Sequence, residues 1–189
     1  MTRFWFVRHG PTHAKVMVGW TDIAADLSDT ATLTRLRAAL PDAPVVSSDL
    51  VRAIATADAL EPRHRLPHDP RLREINFGDW EMRSFAEVEA ETPALIRAYW
   101  EQPGETAPPN GESWHDIRAR MNTAIDDYAL QGHADLIVVA HFGAILTQVQ
   151  RAFGISAYQA FGQRIDNLSV TQLTHDAGAW SAGPINQIP

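Results

Sequence analysis

Short apolar runs bounded by turn residues alternate along this chain with stretches in which apolar residues recur every third or fourth position. These are the periods of buried strands and amphipathic helices. Arg3 to Val7 predicts a first strand, followed by an irregular stretch to Leu27 that holds Gly19, Trp20 and Asp22. Ser28 is placed to cap a helix with Leu33, Leu36 and Leu40 on one face, and Pro41 and Pro44 end it. Val45-Val46 predicts a short buried strand, and Ser47-Ser48-Asp49 supplies capping side chains for a helix to about Leu60. A weaker strand is expected near Arg65 to Pro67.

Arg71 to Trp80 follows neither period and reads as a loop crossing a site. Ser84-Phe85-Ala86-Glu87 is a capping box, and Thr92-Pro93 is a cap followed by proline at the first helical position, so two helices are expected between Ser84 and Glu101. Gln102 to Gly111 carries three prolines and two glycines and reads as a loop. Ser113 and Asp116 open a long helix to about Gln131, and Leu136 to Ala140 is the clearest buried strand, ending at His141. A helix from about Gly143 to Phe153 closes at Gly154, a short helical piece follows near Tyr158, and Leu168 to Thr174 alternates as a final strand. The order predicts an α/β fold: a three-layer α/β/α sandwich around a mostly parallel central sheet.

With 189 residues, 45% hydrophobic and 21% charged, the chain suits one well-cored domain, residues 1–189. The absence of cysteine excludes disulfides, thiolate catalysis and thiolate metal sites. No signal-like segment opens the chain, and no apolar run approaches the roughly 20 residues that a membrane span requires. A cytoplasmic protein is expected. The net charge of −7, from 23 acidic against 16 basic side chains with no basic block, argues against nucleic acid as a partner. All the basic residues except Lys15 are arginines. That matters where an arginine falls in a motif, because its planar fork grips phosphate through paired hydrogen bonds.

The candidate chemistry lies at strand ends. His9 follows the first strand beside Arg8, and His141 follows the Leu136 to Ala140 strand and opens a helix, so the two histidines can face one another across a crevice. Phe142-Gly143 then presents backbone N–H groups at a helix N-terminus. Arg52 falls on the first turn of the helix after Val45-Val46, near the same sheet edge. Glu74 sits among Leu72, Ile75, Phe77 and Trp80, an apolar wall suited to a general acid.

Five segments in order, Arg8 to Thr12, Ser47 to Ala57, Leu72 to Glu81, Asn110 to Trp114 and Val139 to Gly143, together resemble the successive motifs of the histidine phosphatase superfamily, the phosphoglycerate-mutase-like family. The resemblance implies a phosphomonoesterase that needs no metal and no cofactor and works through a phosphohistidine. His9 is then the nucleophile, Arg8, Arg52 and a cationic His141 bind the phosphoryl oxygens, and Glu74 is the proton donor. Thr12, Lys15 and Phe142 are further candidates for contact with substrate. The need for protons on Glu74 and His141 points to mildly acidic working conditions.

The chain departs from the family pattern in several places. Pro11 stands where an acidic residue is common, Lys15 where an asparagine helps bind phosphate, Phe142 where a small residue follows the second histidine, and Met82 where a glycine follows Trp80-Glu81. The compact chain leaves only a helical, lid-like insertion near 83–111, which favours hydrolysis and resembles alpha-ribazole phosphate phosphatases and broad-specificity small-molecule phosphatases. The implied partner is a small phosphorylated molecule, with no nucleic acid and no membrane, and a homodimer as the oligomer to test for. A cofactor-dependent phosphoglycerate-type mutase and a phospho-ligand-binding protein without turnover are the rival readings.

Overall fold

The computed structural model describes residues Met1–Pro189. Its sheet contains β1 (Thr2–Arg8), β2 (Val45–Ser47), β3 (Asp135–Ala140), β4 (Val170–Asp176) and β5 (Ala179–Ala182), in the spatial order β2-β3-β1-β4-β5. β1 and β2 both run parallel to β3, with Phe6 opposite Val138 and Val46 opposite Val138 on its other side. β4 is antiparallel to β1 and turns back into β5.

Side chains alternate across this sheet with the period of two that strand geometry imposes. Val7, Val45, Ile137, Val139 and Val170 point to one face, where they meet α1 (Thr30–Ala39) through Leu33 and Leu36 and α2 (Val51–Ala59) through Ala53 and Ala57. Phe4, Phe6, Val46, Leu136, Val138 and Leu173 point to the other. That face is covered by α5 (Trp114–Leu130) through Ile117, Met121 and Ile125, and by α6 (Phe142–Phe153) through Ile145 and Val149. α3 (Phe85–Glu91) extends this second layer through Val88, and α4 (Pro93–Glu101) and α7 (Ala157–Phe161) extend it through ring contacts running from Phe77 and Trp80 through Tyr99 and Trp100 to Phe161 and Trp114. Fully burying each such side chain stabilises the fold by roughly 1.5–3 kcal/mol. The result is the three-layer α/β/α arrangement, parallel at its centre and antiparallel at one edge.

Capping explains several boundaries. Ser84 and Ser113 form the expected boxes with Glu87 and Asp116, and Gly154 closes α6 in the left-handed conformation at φ 62°. α1 starts one residue later than expected: Asp29, not Ser28, accepts the Thr32 N–H. α2 has no cap of its own, since Ser48 is hydrogen-bonded to His141 and Asp49 is paired with Arg73; Asp22, from a distant loop, accepts the Val51 N–H at 2.7 Å. Arg65 to Pro67 contributes only a single bridge, from Arg65 to Val45, instead of a strand. β5 has no clear sequence signal. Its turn, Ala177-Gly178, takes positive φ at both residues, the geometry of a tight hairpin, without the usual asparagine or aspartate.

The parallel strands β1, β2 and β3 all end at the same sheet edge. His9, Ser48 and His141 are the residues that leave it.

Candidate active site

His9 leaves β1 almost fully buried, its backbone N–H bonded to the Ala140 carbonyl at 3.1 Å and its own carbonyl held by Asn167 at 2.8 Å. Its Nδ1 lies 2.7 Å from the Gly10 carbonyl. A carbonyl oxygen can only accept, so Nδ1 carries the proton and Nε2 keeps its lone pair. Burial, then the charge of Arg52 and to a lesser degree that of Arg8, pushes the His9 pKa down to about 3. The ring is therefore a neutral base with its free nitrogen on the Nε2 side. Gly10 follows because a β-carbon there would stand 2.5 Å from Leu27 Cδ2.

Two guanidiniums flank it. Arg8, half-buried, donates from Nη1 to the Ile165 carbonyl at 2.6 Å and stacks over the Phe142 ring at 5.3 Å. Arg52 is 1% exposed and donates to the Thr21 and Gly19 carbonyls at 2.9 and 2.6 Å, leaving the rest of its fork for a ligand. Burial lowers the pKa of both, yet arginine remains protonated in proteins.

The loop that receives Arg52 is itself held by one carboxylate. Glu81 accepts from the N–H groups of Gly19, Trp20, Thr21 and Phe77 and from the Thr21 hydroxyl, the last at 2.6 Å. Trp20 donates its ring N–H to the Glu74 carbonyl at 2.9 Å and lies under Arg73, whose guanidinium grips Asp49 through two 2.6 Å bonds.

Glu74 is placed by backbone on both sides. Arg120 donates to the Arg71, Arg73 and Glu74 carbonyls while paired with Glu112 at 2.7 Å, which fixes the extended segment. The carboxyl group then lies across the start of α6, accepting from Gly143 at 3.0 Å, Ala144 at 3.2 Å and its neighbour Ile75 at 3.0 Å. The apolar wall expected from sequence is present as Ile75, but the polar side is a helix N-terminus. Gly143 is required for this approach: a β-carbon would stand 2.6 Å from Glu74 Oε1.

His141 is fully buried at the N-cap of α6, its ring centroid 5.0 Å from that of His9. Its Nε2 lies 2.7 Å from Ser48 Oγ, and Nδ1 has no partner. Burial, then His9, Arg52, Arg8 and Arg120, holds its pKa well below the ordinary histidine value. The sequence suggested an imidazolium here; complete burial and four cationic or cationisable neighbours work against a proton on the ring.

A cavity of about 120 Å³ is lined by Arg8, His9, Thr12, Ala14, Val16, Val18, Arg52 and Glu74. Thr12 therefore reaches it. Lys15 is exposed and absent from the lining, and Phe142 supports Arg8 from outside it. His13, at φ 58°, is exposed and bonded to Asp26 at 2.9 Å. Met82 occupies its glycine-like position at φ 60°, a conformation costing a side chain about 1–2 kcal/mol, and is tied to Met17 by a 2.8 Å backbone bond. Val16, Val18, Ser48, Glu81, Arg120 and Asn167 were not singled out from sequence. Val16 and Val18 only line the cavity, and Ser48, Glu81, Arg120 and Asn167 are ordinary residues whose roles depend on partners distant in the chain. No group of three or more His, Asp or Glu side chains is arranged to hold a metal ion, and no helix is long and apolar enough to cross a membrane.

The model of the histidine phosphatase superfamily, branch 1, matches residues 4–187. The chain is 28% identical to an adenosylcobalamin/alpha-ribazole phosphatase of Escherichia coli, over 98% of this chain and 91% of that protein. It is 26% identical to a probable phosphoglycerate mutase of Proteus mirabilis, over 96% and 89% respectively. It is 34% identical to a glucosyl-3-phosphoglycerate phosphatase of Mycobacterium tuberculosis, over 74% and 66%.

Proposed function

The chain belongs to the histidine phosphatase superfamily, branch 1, as a phosphoric monoester hydrolase, and from that premise we propose that it hydrolyses a small phosphorylated metabolite through a phosphohistidine on His9. The observation that carries the reading is the His9 tautomer: Nδ1 is committed to the Gly10 carbonyl, so the basic Nε2 is the nitrogen left for phosphorus.

In the first half-reaction, Nε2 attacks phosphorus and the bond to the ester oxygen breaks, while a proton from Glu74 converts the leaving oxygen to an alcohol. In the second, Glu74 takes a proton from water as its oxygen attacks phosphorus, the N–P bond breaks, and inorganic phosphate leaves. Arg8 and Arg52 balance the negative charge that spreads over the phosphoryl oxygens, the part magnesium plays in many phosphoryl transfers. Thr12 adds a hydroxyl at the cavity wall, and Ala14, Val16 and Val18 line the same cavity.

The test is acid quench of the enzyme during turnover of a phosphorus-labelled aryl phosphate. Label is expected on His9, and the His9→Ala protein is expected to lose both label and turnover. Full turnover by His9→Ala would overturn the proposal. The Proteus relative's name makes phosphoryl transfer to a second hydroxyl a further reading. A phosphoglycerate isomerisation assay with and without bisphosphoglycerate separates it from hydrolysis.

A further inference from the structure

Ser48 is fully buried, and its hydroxyl has two neighbours: the Leu50 N–H, which donates to Oγ at a long 3.4 Å, and His141 Nε2 at 2.7 Å. A hydroxyl has one proton to give, and the only acceptor bonded to this one is Nε2. The opposite arrangement, with Nε2–H donating to Ser48, would give Oγ a second incoming N–H and leave the hydroxyl proton with no protein acceptor, a loss of the kind buried polar groups avoid. With Ser48 donating, Nε2 is bare and the proton of the neutral ring sits on Nδ1. Nδ1 is also the nitrogen that no protein group satisfies, on a ring 5.0 Å from His9.

We propose that Ser48 is a positioning residue that fixes His141 as the neutral Nδ1–H tautomer, so that His141 serves the phosphoryl group as a hydrogen-bond donor without carrying a charge. The role in turnover rests on the phosphatase reading above; the tautomer itself does not. The surroundings fit. Arg8, Arg52 and Arg120 already place three positive charges around the ring, and His9 is its neighbour, so a fourth cation would be paid in repulsion whenever no phosphoryl group was bound. A neutral donor avoids that repulsion and keeps Arg8 and Arg52 as the fixed charges. It also separates the two histidines chemically: both rings carry their proton on Nδ1, but in His9 that proton is tied to a carbonyl and the bare Nε2 is offered, whereas in His141 the bare Nε2 is occupied by Ser48 and the proton is offered. Two like side chains thus become a nucleophile and a donor through their single backbone or hydroxyl partners.

The experiment is nitrogen NMR of the full chain with isotopically labelled histidine, resting and with inorganic phosphate, His141 being assigned by its loss in the His141→Gln spectrum. Between pH 6 and 8 the His141 signals are expected to be those of a protonated Nδ1 and a bare Nε2. A doubly protonated ring, or a proton on Nε2, would overturn the proposal without bearing on whether His9 is phosphorylated. Ser48→Ala is expected to give a mixture of tautomers and to lower kcat/KM about tenfold while the thermal midpoint moves by a few degrees. An unchanged tautomer in a folded Ser48→Ala protein would assign its control to another group and likewise overturn the proposal. The wild-type measurement decides the question even if that variant fails to fold.

Discussion

Arg52 occupies two environments with one side chain, holding the Thr21 and Gly19 carbonyls while lining the cavity beside His9. Lysine would keep the charge and lose the fork, since a single ammonium cannot hold two carbonyls and grip phosphate in the same plane. Arg52→Lys is expected to lower kcat/KM of aryl phosphate hydrolysis by about 100-fold, the usual size of a lost donor to developing charge. A loss below threefold in steady-state kinetics would contradict that placement. At this scale the sequence exposes the ends of the site and hides its supports. Arg8, His9, Arg52 and His141 stand out because each ends or follows a strand or opens a helix, and Glu74 because it sits among apolar residues in a loop; the structure brings all five to one sheet edge. Glu81 and Arg120 do not stand out. Three of the four backbone N–H donors to Glu81, and all three backbone carbonyls that accept from Arg120, lie dozens of positions away in the chain. Lys15, which looked like an extra cation for phosphate, is turned to solvent.

At the scale of elements, the first turn of α6 determines where Glu74 sits. Gly143→Ala offers a clean separation of function from stability. The three atoms nearest its β-carbon would all be side-chain atoms, Glu74 Oε1 at 2.6 Å and Ile75 Cδ1 and Cγ1 at 2.9 and 3.2 Å, so the side chains rather than the helix backbone take up the shift. Alanine also favours the helix over glycine by about 1 kcal/mol. We expect kcat to fall at least tenfold with a thermal midpoint within about 3 °C of wild type; calorimetry and kinetics on the same preparation check both. Elements announced by local chemistry were legible in the sequence: the capping boxes at Ser84 and Ser113, the glycine ending α6, and the apolar core of β3. Those set by distant partners were not. α2 is capped from residue 22, and β5 exists because β4 offers it an edge.

For the molecule as a whole, the two buried histidines couple stability to pH. Both have pKa values below the ordinary 6.5, His9 at about 3 and His141 well down. Above pH 6.5 each is neutral whether folded or unfolded, and no difference arises. Below it the unfolded chain takes up protons that the folded chain refuses, so stability falls as pH drops from about 6.5 toward 3. Each histidine contributes up to about 1.4 kcal/mol per pH unit to that slope. Urea unfolding between pH 7 and 4.5 is expected to show a shallower slope in His9→Asn than in wild type; equal slopes would contradict the shift. The same depression leaves His9 unprotonated in mild acid, so loss of activity there would come from another group. In a chain of net charge −7, attraction for a phosphate dianion is confined to the few ångströms around Arg8 and Arg52.

β1 lies between β3 and β4, so residues 2–8 pair with residues 135–140 on one side and 170–175 on the other. A strand made first must wait for partners made last. During synthesis His9 leaves the ribosome more than a hundred residues before Ala140, the carbonyl that receives its backbone N–H. The closing of that long loop carries the entropic cost that slows folds rich in distant pairings. The nascent chain therefore carries His9 through most of the translation of residues 1–189 before the strands that flank β1 exist to hold it.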